Sequence, residues 1–209
     1  MRPVLPLLLL AACHSATRDE LADLDVTVID LFDDPGEGVV YDLDASSDPS
    51  LVFTGFGMLG QEQYGTWTAW NVRSVVPVGG GLDGLRVSVV VDTTSVDTGN
   101  SSMTHHLLTD DFFDAERWPE ARFDGVATEE APGNFRVTGT LTVRGTTREH
   151  AYDAAIALED GALVSSAHME LSRWDFGLYP ANADEPGDDG VGDDVLLDYA
   201  VRLLPDGGP

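Results

Sequence analysis

The 209-residue chain is strongly acidic, with 37 Asp and Glu residues against 11 basic residues and a formal net charge of −26. Every basic residue is arginine, so Schiff-base and amine-nucleophile chemistry, which need lysine, are excluded. An acidic field of this size repels phosphate backbones and anionic head groups, and nucleic acid is therefore excluded as a partner. The length suits one domain with appendages, large enough to bury a core.

The N-terminal stretch has a basic residue, Arg2, followed by an apolar run over residues 4–12 that ends at Cys13, the one cysteine of the sequence. Residues 10–13, Leu-Ala-Ala-Cys, are similar to the lipobox of bacterial lipoproteins. We therefore predict a signal peptide at 1–12, lipid attachment at Cys13, and an extracytoplasmic protein, periplasmic or at the cell surface, that acyl chains anchor to a bacterial membrane. An ordinary secretion signal and a misassigned start codon are the alternatives.

Residues 13–38 mix acidic and small side chains, which predicts an acidic tether with a reach of about 25–30 Å if flexible. Within this stretch, residues 25–32 are apolar enough to dock on the folded domain as an edge strand. The sequence leaves docking and disorder of residues 25–32 open.

From residue 39 onward, short runs of alternating apolar and polar residues are separated by turn signals, a pattern typical of an antiparallel barrel or sandwich. The predicted strands lie at 39–43, 51–58, 66–75, 85–92, 120–128, 134–143, 149–158, 163–171 and 195–204. These eight or nine strands predict an all-β, antiparallel, eight-stranded barrel over residues 39–205, with 206–209 as a C-terminal tail. A barrel of about eight strands either fills its interior with side chains or leaves room for one ligand, and the alternation is compatible with both.

The connector between the strands at 85–92 and 120–128 is long and patterned. Residues 97–100 end the preceding strand, and Ser101 or Ser102 is predicted to cap a short helix over 103–108. Phe112 and Phe113 follow in a further turn, and Trp118 before a proline returns the chain to extended backbone. We predict that this connector forms an apolar lid.

Three blocks of sequence carry a family resemblance. They are the connector, with Ser95 to Asn100, His106-Leu107, Asp111 to Asp114, Trp118-Pro119 and Phe123; the hairpin Val137 to Thr147; and the turn Arg173 to Gly177. In this order they resemble the YceI-like family of lipocalin-like, polyisoprenoid-binding proteins, over about residues 39–204. The resemblance implies a hollow, lipocalin-like barrel with a long apolar pocket. One departure is Gly57, which stands where many members carry a histidine.

A ligand-binding lumen follows from combining the alternation with the resemblance. The expected ligand is a polyisoprenoid, an isoprenoid quinone or a fatty acyl chain, and no other cofactor is expected. The residues predicted to line the pocket are Phe53, Trp67, Val89, Phe123, Val137, Leu141, Ile156, Met169, Leu171, Leu197 and Tyr199, with Phe112 and Phe113 closing one end. Leu158 is placed on the same inner face. Glycines at 55, 57 and 139 either leave volume in the lumen or mark barrel bends.

The remaining candidate residues predict little chemistry. His105 and His106 lack the partners that a metal site needs, so His106 packs in the lid or touches a ligand head group. His150 and His168 are expected on outward faces, and Asp175 is expected to fix a turn. Since no nucleophile motif occurs, no enzyme activity is predicted. Since the histidines lack further ligands, no metal site is predicted.

Residues 184–194 contain six acidic residues and read as a solvated surface loop, with Ca²⁺ binding as the alternative. The rival to a lipid carrier is a structural or interaction lipoprotein with a packed barrel, whose acidic loops bind ions or a protein. The sequence leaves the oligomeric state open, a homodimer included.

Overall fold

Extended segments close into a barrel in the computed structural model, which describes residues 16–29, 37–57 and 60–206. The described strands are β1 (Val39–Leu43), β2 (Ser50–Phe56), β3 (Glu62–Trp67), β4 (Trp70–Val76), β5 (Leu85–Asp92), β6 (Val96–Asp97), β7 (Glu120–Ala131), β8 (Asn134–Val143), β9 (Thr146–Glu159), β10 (Ala162–Ser172) and β11 (Asp194–Pro205). Each strand pairs antiparallel with its neighbour in the ring β1-β4-β5-β7-β8-β9-β10-β11, and β11 closes the ring by pairing with β1. The predicted eight-stranded antiparallel barrel is confirmed.

Three further strands, β2, β3 and β6, continue the ring toward one end. β2 pairs with the first half of β11, while β1 pairs with its second half. β3 lies on β2, and the two-residue β6 lies on β3. The barrel wall is thus longer on this side than the β1-to-β4 pairing alone would make it.

The predicted continuous strand at 66–75 is wrong, because the strand conformation is interrupted at Thr68 and Ala69, between β3 and β4. The backbone of Thr27 enters this break: its N–H donates to the Thr68 carbonyl at 2.6 Å, and its carbonyl accepts from the Trp70 N–H at 3.0 Å. The irregularity shifts the alternation by one residue, so Trp67 and Trp70 both face the interior.

The N-terminal segment packs on the outside of the barrel. Helix α1 (Arg18–Ala22) begins with a capping box in which Thr17 and Glu20 bond reciprocally. Leu21 is only 3% exposed, and α1 contacts β2 and β3. The tether prediction is therefore wrong for residues 16–24, which dock on the barrel through Leu21. Of the two alternatives left open for residues 25–32, the described part shows the docked one, since Thr27 bridges to Ala69, while residues 13–15 and 30–36 lie outside the described part.

Interior packing differs sharply between the two ends of the barrel. One end is filled by side chains that are 0–2% exposed, here called the floor: Leu85, Ala127, Phe135, Leu163 and Leu203. At the other end, inward-facing side chains of the same strands are only half-buried, among them Val89, Val91, Leu141 and Leu197. This open end carries helix α2 (Ser101–Leu108) and the rest of the connector, residues 98–119, here called the lid.

None of the helices in the described part of the chain has the length and apolar character needed to cross a bilayer.

Candidate ligand-binding site

The lumen between the floor and the lid is a cavity of about 360 Å³. That volume lies within the range of about 300–1,000 Å³ typical of small-molecule sites. The structure places on its lining all the residues predicted there: Phe53, Trp67, Val89, Phe112, Phe113, Phe123, Val137, Leu141, Ile156, Met169, Leu171, Leu197 and Tyr199. Their contact with a ligand stays a prediction.

Period-two alternation explains why sequence reasoning located most of this lining. Successive side chains of a strand point to opposite faces, so every second residue of β5, β8 and β11 enters the lumen. Leu158 is the exception among the predicted inner residues. It lies near the end of β9 and is 51% exposed, because the strand there extends past the packed floor.

The lid closes the open end with apolar side chains. Phe113 sets its ring edge-on to Trp67 at a centroid distance of 5.9 Å, and Trp67 in turn lies 5.1 Å from Phe53. Phe112 is 9% exposed and packs against the ring of His106 at 5.1 Å. These contacts form an aromatic cluster that joins the lid to the wall at β2 and β3.

The cap of α2 is Asn100, so the prediction of Ser101 or Ser102 is wrong. The Asn100 side-chain oxygen accepts from the backbone N–H groups of Ser102 and Met103 at 3.1 and 3.2 Å. Asn is among the best N-cap residues, and it directly precedes the helix. His106 takes part in the lid: its Nε2 lies 3.2 Å from an Asp111 carboxylate oxygen.

Arg173 ties the rim of the cavity together. Its guanidinium, in a residue that is 3% exposed, donates to the carbonyls of Leu178, Val191 and Gly192 and to the Asp189 carboxylate at 2.7 Å. The buried Arg173, and not the exposed Asp175, holds this turn, which corrects the expectation for Asp175.

The acidic stretch 184–194 is consequently more than a solvated loop. The Asp189 side chain is 7% exposed in its ion pair with Arg173, and Asp193 accepts from the indole N–H of Trp174 at 2.9 Å. A second arginine, Arg144, donates to the Asp110 carbonyl in the lid and to the Gly177 carbonyl beside the turn. Arg144 therefore joins the lid to the turn at 173–177, and Arg173 joins that turn to residues 184–194, here called the rim loop.

Two tyrosines place hydroxyl groups inside the lumen. The Tyr199 hydroxyl lies 3.0 Å from the Ser165 hydroxyl, and the rings of Tyr152 and Tyr199 meet at 6.2 Å. Burial raises the pKa of Tyr199 and raises the pKa of Tyr152 well above its usual value. Both phenols are neutral at physiological pH and bring no charge into the cavity.

His150 lines the cavity, so its predicted outward orientation is wrong. It lies two residues before Tyr152 on β9 and therefore shares its inward face, a signal that the alternation already contained. Burial, with the Arg136 guanidinium as a second cause, lowers the pKa of His150 and keeps the ring neutral near pH 7. His168 does face outward, where its Nδ1 lies 2.8 Å from Asp198.

Three buried nitrogen atoms of the lining have no hydrogen-bond partner among the described residues. They are Nε1 of Trp67, Nε1 of Trp70 and Nε2 of His150. An indole N–H can only donate, so two of these atoms call for an acceptor. Buried polar atoms are normally satisfied, which makes an acceptor oxygen on a bound molecule a chemically fitting partner.

The glycines of the wall have distinct roles. A Cβ on Gly139 would collide with the Asp124 carbonyl, so this glycine permits close approach of β7 and β8 and marks a tight wall. A Cβ on Gly65 would meet the Phe53 ring, which lies over that glycine. Gly55 differs, since a Cβ there would meet only the Gln63 carbonyl at 4.0 Å, and its missing side chain leaves space in the lining.

The packed-barrel alternative thus describes the floor and fails above it, where the lumen is hollow. Within the described residues, no group of three or more His, Cys, Asp or Glu side chains is placed to hold a metal ion.

Comparison with known sequences identifies relatives of this barrel. The model of the YceI-like domain matches residues 41–203. A UPF0312 protein of Vibrio parahaemolyticus is 31% identical over 99 residues, which are 43% of this chain and 52% of the relative. Protein YceI of Escherichia coli is 31% identical over 71 residues, 34% of this chain and 37% of that protein. The chain thus matches about half or less of the length of these relatives.

Solved structures share the fold. BcnA of Burkholderia cenocepacia superposes with a TM-score of 0.67 at 15% identity, covering 77% of this chain and 99% of that one. A polyisoprenoid-binding domain from Saccharophagus degradans, implicated in plant cell wall breakdown, gives 0.60 at 14% identity, covering 79% and 98%. The YceI protein of Campylobacter jejuni gives 0.57 at 21% identity, covering 68% and 84%. With the domain match spanning nearly the whole barrel, the chain belongs to the YceI-like family.

Proposed function

We propose that the barrel binds a long apolar lipid in the cavity beneath the lid, and that it sequesters or carries this lipid outside the cytoplasm. The observation that carries the proposal is the 360 Å³ lumen lined by apolar side chains above a packed floor. Affinity comes from apolar burial: a chain of about 15 methylenes would gain roughly 12 kcal/mol before the costs of association are subtracted.

The ligand class we favour is a prenyl or acyl chain that ends in an oxygen-bearing group, such as an isoprenoid quinone, a polyisoprenoid alcohol or a fatty acid. The unpartnered indole N–H groups of Trp67 and Trp70 support an acceptor oxygen in the lumen. The related domain from Saccharophagus degradans, described as polyisoprenoid-binding, supports the chain chemistry. No catalytic step is part of the proposal.

The membrane attachment is proposed on the lipobox alone, since Cys13 lies outside the described residues. Replacing Cys13 with Ser should move the protein from the membrane fraction to the soluble extracytoplasmic fraction. Unchanged fractionation of Cys13→Ser would refute anchoring at this residue.

Ligand binding is tested by titrating the purified barrel with decylubiquinone and with oleic acid, and following tryptophan fluorescence, because Trp67 and Trp70 line the cavity. We expect saturable quenching by the quinone that oleic acid reverses. The variant Gly55→Leu, which fills open space in the lining, should weaken both ligands about tenfold or more. The control Gly81→Leu, in an exposed loop at the opposite end, should bind as the parent does.

The titration can also contradict the proposal. Quenching that rises linearly without saturation, and to the same extent in Gly55→Leu, would mean that the quinone does not enter the lumen.

A further inference from the structure

The first described residue, Ala16, lies beside the lid, at the open end of the barrel. Ala16 packs directly against Gly99, just before the cap of α2, and a Cβ on Gly99 would collide with the Ala16 side chain. Gly99 also has a φ of +65°, a conformation that glycine adopts without strain. Residue 16 is therefore seated at the base of the lid.

Tertiary contacts hold residue 16, here called the exit point of the N-terminal segment, at this position. The groove in which the segment starts is shared by Thr17, Glu62, Asn100 and Met103, so α1, β3 and α2 meet there. Downstream, Arg18 forms an ion pair with Asp198 at 2.9 Å, and Leu21 is buried. Burial disfavours the charge on Asp198, but hydrogen bonds from His168 and Arg18 outweigh it and lower the pKa of Asp198.

The distance from this exit point to the proposed anchor is short. Two residues separate Ala16 from Cys13, and an extended chain spans at most about 3.3–3.6 Å per residue, so the anchor lies within roughly 11 Å of the lid. The floor lies at the opposite end of the barrel, where β1 and β5 begin and β11 ends.

We propose that the lid end faces the bilayer to which Cys13 is attached, so that lipid passes between the membrane and the cavity without crossing bulk water. The inference rests on the proposed function, since it takes the lipid anchor and the apolar ligand from it. The docked segment 16–29 replaces a long flexible tether with a short one and thereby sets the orientation of the barrel.

Charge selects the kind of membrane surface. The lid end displays exposed carboxylates at Asp110, Asp184, Glu185 and Asp188, all within the lid or the rim loop. Anionic head groups would repel them over a distance of about 10 Å at 0.1 M ionic strength. The partner surface is therefore a zwitterionic one, and anionic lipid should slow transfer in a salt-dependent manner.

The test anchors the barrel by either end. A protein beginning at Cys13 has one thiol, which is coupled to a maleimide phospholipid in phosphatidylcholine vesicles. The matched control carries Cys13→Ser and one cysteine added after Pro209, which anchors it near the end of β11 and turns the floor toward the bilayer. Transfer of a fluorescent fatty acid from the same vesicle into the barrel is followed over time.

We expect the N-terminally anchored protein to take up the fatty acid about tenfold faster than the C-terminally anchored one. Inserting about 20 Gly and Ser residues between Ser15 and Ala16 should remove most of this advantage, because effective concentration falls with linker length. Both anchored forms, and the free protein, should take up the fatty acid equally well from solution.

The outcomes separate the two proposals. Equal transfer rates for the two anchored forms, with normal uptake from solution, would overturn the orientation alone. Absence of uptake from solution would overturn the proposed function and this inference with it. Mass spectrometry that finds no acyl chains on Cys13 of the native protein would overturn the anchor on which the orientation depends.

Discussion

The floor and the lid end of the barrel are built from the same strands but stabilised in different ways. Along β11, both Leu203 and Leu197 line the cavity, but Leu203 is fully buried in the floor, whereas Leu197 is only half-buried at the open end. The floor is held by apolar packing. The lid end is held by polar contacts, the Arg173 and Arg144 hydrogen bonds and the Asn100 cap, in addition to the aromatic cluster that joins the lid to β2 and β3. Polar contacts at the rim leave the apolar side chains of the lumen available to a ligand.

The largest effect is expected where a charge enters the packed part of the lumen. Val137 is 1% exposed and points inward, while the next residue, Thr138, is exposed on the outer face. Val137→Glu should lower the free energy of unfolding by about 4 kcal/mol or more, since it buries an unpaired charge. Thr138→Glu should change it by less than about 0.5 kcal/mol. Urea unfolding measures both, and equal effects would mean that the inward register is wrong.

A matched pair of leucines on β11 compares the two regions directly. Leu203→Ala should cost about 3–5 kcal/mol of unfolding free energy, because it opens a cavity in the floor. Leu197→Ala should cost only about 1 kcal/mol, because its side chain is only half-buried and loses less apolar contact, but it should weaken fatty-acid binding. If the two variants lose the same stability and bind equally, the contrast between floor and lid end does not exist.

Removing the rim arginine tests how the lid end is held. Arg173→Met leaves the Asp189 carboxylate buried without its partner, and we expect a loss of about 3 kcal/mol. Hydrogen exchange should accelerate in the loop 184–194 before it does so in the floor. The exposed Arg148 supplies the control, since Arg148→Met should stay within about 0.5 kcal/mol of the parent. Arg173→Met/Asp189→Leu should recover part of the loss; no recovery would argue against the buried ion pair as the cause.

The smallest effect concerns pH. Burial lowers the pKa of His150 in the folded barrel, so below the ordinary histidine value the unfolded chain binds a proton that the folded chain resists. The contribution of the neutral His150 ring to the free energy of unfolding is fully present above about pH 6.5, and it declines as the pH falls toward the pKa of His150 in the folded protein. Unfolding free energy should therefore decrease between about pH 7.5 and 5.5. His150→Gln should flatten this slope; an unchanged slope in His150→Gln would exclude His150 as the cause.

Local sequence rules could predict the ring of strands and its inward face, since alternation depends only on neighbouring residues. The same rule places His150 on the inward face of β9 with Tyr152, and Asn100 is a strong N-cap residue. The sequence alone could therefore predict the orientation of His150 and the cap of α2. The break at Thr68 and Ala69 was not, because it depends on Thr27, which is distant along the chain. The docking of residues 16–24 and the bonds of Arg173 likewise arise from tertiary contacts that no local pattern encodes, whereas the apolar run at 25–32 already offered docking as one of two alternatives.

Native mass spectrometry of the gently purified protein tests the central claim most directly. The hollow lumen predicts a bound species whose extra mass matches a prenyl or acyl lipid, which is lost after solvent extraction and regained when quinone or fatty acid is added. A bare polypeptide that takes up neither would contradict lipid binding in the barrel.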